Sequence, residues 1–85
     1  MQNEQHDLVH ELPEHRDSIH HLKMNDAHFA KLFTSYHDVE HEVHHIESEG
    51  VNTSDEYIEG RKKSRLALKD ELYQMILKYE ASARS

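Results

Sequence analysis

The chain has 85 residues, 17 acidic side chains against 10 Lys and Arg, 10 His and no Cys. That length holds one small domain with a thin core, and a formal charge of −7 repels a phosphate backbone and argues against nucleic acid as a partner. The lack of Cys excludes a disulfide framework and thiolate chemistry, which suits a reducing compartment.

Gly occurs only at Gly50 and Gly60 and Pro only at Pro13, too little turn punctuation for a sandwich or barrel. The fold class expected is therefore all-α. No apolar run approaches a membrane span, and the acidic start from Met1 to Glu14 does not resemble a signal peptide. The expectation is a cytoplasmic protein with no membrane contact.

In chain order, residues 1–11 form a polar lead-in, frayed or partly helical, with Leu8 and Val9 its large apolar side chains besides Met1. A single helical-hairpin domain is expected over 12–85. Pro13 suits the first position of a helix, where its missing N–H costs nothing. The first long helix is expected over about 13–48, bending or restarting at 25–26, because Asp26 can accept the free N–H groups of a new turn beginning at Ala27.

Beyond that point apolar residues fall at Phe29 and Leu32, Tyr36 and Val39, Val43 and Ile46, consecutive a/d pairs of a heptad pattern that Leu22 extends backward. The turn is placed at 49–53. Gly50 is a natural left-handed terminator, Asn52, Thr53 and Ser54 are N-cap candidates, and Thr53 with Glu56 has capping-box spacing.

The second helix, about 54–81, presents Leu68, Leu72, Met75 and Tyr79 to the heptads of the first, with Ile58 and Ile76 beside that stripe. Gly60 weakens it by roughly 1 kcal/mol relative to Ala. So short a turn makes the two helices antiparallel, which sets Asp38, Glu40 and Glu42 beside Arg61, Lys62, Lys63 and Arg65. Each exposed pair contributes less than about 1 kcal/mol, so these charges set register more than stability.

A further stripe complicates the hairpin. At about 100° per residue Leu66, Tyr73 and Leu77 lie within about 40° of one another and roughly opposite Leu68, Leu72 and Tyr79. One partner helix cannot cover both sides, and on the first helix Phe33 also widens the apolar face. Self-association through Leu66, Tyr73 and Leu77 into a helical bundle, with a dimer favoured, is the simplest closure. The bland alternative is a set of scattered surface hydrophobes.

The histidines invite a metal reading. His41-Glu42-Val43-His44-His45 matches HExxH and His37-Asp38-Val39-Glu40-His41 matches HxxEH, and His at i and i+4 can share a zinc ion beside a general-base Glu. The heptad register turns His41 and His45 away from the seam and leaves His37 and His44 on its flank, so all are expected in solvent. Catalytic zinc also needs a third protein ligand and a cleft. His37, His41 and His45 are accordingly kept as surface metal candidates, and no cofactor is expected. Many imidazoles could also sense pH, but exposed His titrates in any protein and a sensor needs a bistable element.

Leu12-Pro13-Glu14-His15-Arg16, Leu22-Lys23, Phe29, Leu32-Phe33 and Leu66-Ala67-Leu68-Lys69-Asp70-Glu71 together resemble the YdcH-like family of short bacterial proteins. The resemblance runs from about Leu12 to Leu77 and departs at Asp26-Ala27, where many relatives carry Asn-Pro. It implies a helical hairpin, sometimes self-associated, in a family without an established activity, and it supplies no catalytic residues. It also implies that the His richness belongs to this chain, since relatives carry other polar residues at His41, His44 and His45.

The functional expectation is a small non-enzymatic interaction module, binding a second copy or a helix of another protein. Three alternatives stand beside it. They are a His-rich binder of zinc or nickel, a zinc hydrolase at His41, Glu42 and His45, and an accessory nucleic-acid or ribosome binder using Arg61 to Arg65.

Overall fold

The computed structural model describes residues 8–50 and 52–84; residues 1–7 of the expected lead-in, Val51 of the expected turn and Ser85 lie outside them. Among the described residues four helices follow in order: α1 (Leu8–Glu11), α2 (Arg16–Asn25), α3 (Ala27–Glu49) and α4 (Asp55–Arg84), with a 3₁₀ turn at Pro13–His15 before α2. No strand occurs among them.

Local chemistry explains each boundary. Pro13 opens the 3₁₀ turn and not α2 itself, which starts at Arg16. Asp26 is extended, at φ −125° and ψ 107°, and its carboxylate accepts the Phe29 N–H at 3.0 Å, satisfying a donor at the start of α3. Gly50, at φ 66°, ends α3 in the left-handed conformation that lacks a steric cost only for glycine, and its N–H bonds back to the Ile46 carbonyl. α4 is capped by Ser54, whose Oγ accepts the Tyr57 N–H at 3.0 Å. The Thr53/Glu56 spacing therefore lies one residue out of register with the cap that forms.

The break at Asp26 does more than bend a helix. Past it the chain reverses: the Lys23 ammonium lies 4.5 Å from the centre of the Phe33 ring, so α2 runs back along α3. Contacts with α4 ascend in step, Glu11 to Lys69 at 2.7 Å and Ser18 to Glu80 at 2.6 Å. Residues 8–25 thus form a strap lying antiparallel to α3 and parallel to α4. α3 and α4 themselves pair over most of their lengths in antiparallel order, as the ion pairs Glu40–Arg65, Glu42–Arg61 and Glu47–Lys62 show.

The strap enlarges the core. Leu8, Ile19 and Leu22 are buried in one cluster with Phe29, Tyr36, Leu72 and Ile76, while Val39 and Val43 are buried further along α3. Leu32, Leu68, Met75 and Tyr79 pack around that cluster partly buried, and Ile46 is half-buried near the turn. Ile76, which the heptad reading sets beside the seam, is fully buried, whereas Met75 is not. The cause is the strap: α4 meets α3 on one side and residues 8–25 on the next, which shifts the centre of its buried arc toward Ile76.

Leu8 belongs to the segment read from sequence as a lead-in without a role, yet its exposure is 0%. Leu8→Ala is expected to destabilise the fold by about 2–5 kcal/mol, read as a lowered urea midpoint at unchanged slope. Gly60→Ala, where a Cβ would meet nothing within 4 Å, is expected to raise stability by about 0.5–1 kcal/mol in the same measurement.

Candidate interaction site

The outward side of α4 carries the stripe Leu66, Tyr73 and Leu77, and the structure treats its members differently. Leu66 is 67% exposed and Leu77 38% exposed, while Tyr73 is half-buried. Tyr73 is held by the strap: the His15 ring meets it edge-on at 5.8 Å between centroids, and His15 Nδ1 stands 2.8 Å from Glu80 Oε2, the oxygen that also accepts the Ser18 hydroxyl at 2.6 Å. Part of the face left open by a two-helix reading is therefore covered from within the same chain.

What remains is an open groove of about 660 Å³ between strap and α4. Leu12, Leu66, Ala67 and Tyr73 give it an apolar floor, and Glu14, Lys63, Lys69 and Asp70 stand around it. Leu12 belongs to this site although sequence periodicity does not reveal it; the available signal is an apolar residue directly before Pro13, at the foot of a helix. Ala67 is the small residue that leaves room beside Leu66.

A second constellation forms the charged seam of α3 and α4. Arg65 donates to Glu40 Oε1 at 2.9 Å, and Glu40 is only 4% exposed, so its carboxylate has lost most of its water. Arg61 stands 3.5 Å from Glu42, which also accepts the Tyr57 hydroxyl, and Lys62 stands 2.7 Å from Glu47. The hydrogen bond from Lys62 lowers the Glu47 pKa below 4.5, and the same contact raises that of Lys62 above 10.5. The hydrogen bond to Glu42 raises the Tyr57 pKa above 10.0, since ionising the phenol would remove its donor.

The histidine candidates do not converge. His41 and His45 are exposed on α3, but His37 is half-buried, its ring 4.4 Å from that of Phe33 and 5.5 Å edge-on from that of Tyr36. His37 is thus part of an aromatic row and not a solvent-facing flank, because Phe33 one turn earlier extends the apolar arc beneath it. Glu42, which the HExxH pattern would use as a base, is engaged by Arg61 and Tyr57 from α4. Among the described residues no group of three His, Cys, Asp or Glu side chains is placed to hold a metal ion. Among the same residues no helix is long and apolar enough to cross a membrane.

The model of a family described as a protein of unknown function, DUF465, matches residues 29–76, more than half of the chain. No curated protein and no solved structure matches it.

The buried end of the charged seam can be tested directly. Arg65→Ala removes the cation that bonds the buried Glu40 carboxylate and is expected to destabilise by about 2 kcal/mol, a figure reduced for the partial exposure of Arg65. Adding Glu40→Leu is expected to recover most of that loss, measured as a double-mutant cycle in urea.

Proposed function

Because the chain belongs to the DUF465 family of unknown function, we propose its role from its own surface: a small non-enzymatic interaction module that pairs with a second copy through the groove of Leu12, Leu66, Ala67 and Tyr73. We take the family to be the YdcH-like one, since Phe29, Leu32-Phe33 and Leu66 to Glu71 of that resemblance fall inside the matched residues.

The observation that carries the reading is a protruding apolar side chain beside an apolar hollow on one surface. Leu66 is 67% exposed, and the groove next to it is floored by Ala67, Tyr73 and Leu12. A two-fold arrangement seats each Leu66 in the groove of the other copy, the self-complementary pattern an isologous interface requires. Charge supports the same partner. Copies with a formal charge of −7 repel each other in general, but the groove carries Lys63 and Lys69 against Glu14 and Asp70, so repulsion is smallest there.

A contact confined to this groove is expected to be of the transient, concentration-dependent kind. No catalytic role is assigned to any side chain, because Glu42 and Glu40 are committed to Arg61 and Arg65.

Sedimentation over a concentration series tests this. The wild-type chain is expected to dimerise reversibly, Leu66→Lys to weaken the dimer by about tenfold or more, and a chelator to change neither. A wild-type protein that stays monomeric, or an unchanged dimer in Leu66→Lys, overturns the groove reading, and a dimer dissolved by the chelator favours metal binding instead.

A further inference from the structure

The junction between α2 and α3 is a single residue, and the pattern on either side of it is continuous. Leu22, Phe29, Tyr36 and Val43 follow at intervals of seven, so the heptad phase passes through Asp26 as if no break existed. The hydrogen-bond ladder is nearly continuous too. Asp26 donates its N–H to the Leu22 carbonyl at 2.8 Å, as in an unbroken helix, and Ala30 donates to the Asp26 carbonyl at 2.9 Å. Only the N–H groups of Ala27, His28 and Phe29 leave the ladder, and that of Phe29 goes to the Asp26 side chain. Bringing Asp26 from φ −125° and ψ 107° to helical values near −63° and −42° turns residues 16–49 into one helix.

We propose that two copies of this chain exchange their straps by straightening at Asp26, each strap packing on the hairpin of the other copy. The docking surface already exists, because it is the closed interface itself. Leu8, Ile19 and Leu22 enter the cluster of Phe29, Leu72 and Ile76, Glu11 reaches Lys69, and His15 and Ser18 reach Glu80. Exchange remakes each of these contacts between chains and adds helical hydrogen bonds at the hinge. The symmetry fits as well. In the closed form α2 runs back along α3 around Asp26, so two straightened helices cross antiparallel at that residue and meet through the same side chains. A one-residue hinge is the connection that favours such an exchange over closure within one chain.

This goes beyond the groove reading, since exchange needs nothing from Leu66. The chain has no Cys, so single thiols report chain identity. Ser18→Cys and Glu80→Cys chains, unfolded and refolded together, are treated with a short thiol cross-linker. The expected result is a covalent pair joining one chain of each kind, formed in a Leu66→Lys background as well.

Asp26→Ala removes the cap and favours continuous helix, and is expected to strengthen the dimer about fivefold per hinge, roughly 25-fold for two hinges. Inserting Gly-Ser-Gly after Asp26 lets each strap close within its own chain and is expected to abolish the Ser18→Cys/Glu80→Cys cross-link with the helical circular dichroism intact; a cross-link that persists overturns exchange. Failure of the mixed chains to cross-link overturns exchange even if the wild type dimerises. So does a cross-link that disappears with Leu66→Lys, which would assign the dimer to the groove alone.

Discussion

The fold depends on one interrupted turn of helix. Residues 16–49 have the pattern of a continuous amphipathic helix, yet Asp26 takes an extended conformation and gives its carboxylate to the Phe29 N–H. An Asp in that position offers the backbone a local acceptor that competes with the helical one, which is why the residue type prefers helix starts to helix interiors. What the reversal gains is burial. It carries Leu8, Ile19 and Leu22 onto the face of Phe29, Leu72 and Ile76, so the core draws on the strap as well as on the α3 and α4 of a hairpin. For a chain in the size range where a core is marginal, a third contributor matters.

The charges decide register more than cohesion. Acidic side chains late in α3 meet basic ones early in α4, and the pairs Glu40–Arg65, Glu42–Arg61 and Glu47–Lys62 fix how the two helices slide along each other. The exposed pairs are screened by water and contribute little. Glu40 differs because it is buried: a desolvated carboxylate beside Tyr36 and Val39 is costly without Arg65, so this pair penalises a shifted register. The strap has its own polar latch at Glu80, and by seating Leu12 and Glu14 beside α4 it also builds one wall of the groove. Fold and candidate interface therefore share a segment.

Local patterns were legible in the residues. The heptads of Phe29 to Ile46 identify the long amphipathic helix, Asp26 its cap and Gly50 its end, because each of these depends on neighbours within a turn. The outward position of Leu66 and Leu77 also follows from the helical period alone. Leu8, Ile19 and Leu12 were not legible as core or groove residues. Their periods are too short to signal a face, and their burial comes from a reversal whose direction no local pattern specifies. His37 is similar: a helical angle puts it on a flank, and only the ring of Phe33 beside it makes that flank partly buried.

By itself, then, the sequence determined the two long helices, the Asp26 cap, the Gly50 terminus and the sign of the charges along the seam, since these follow from interactions within a few residues and from the period of the helix. Only the tertiary structure decided that residues 8–25 fold back as a strap, that Ile76 lies deeper than Met75, and that Tyr73 is partly covered while Leu66 stays open. Those outcomes turn on the backbone conformation of Asp26, and a change at this one residue chooses between a straight helix and a reversed one with the heptad pattern unchanged.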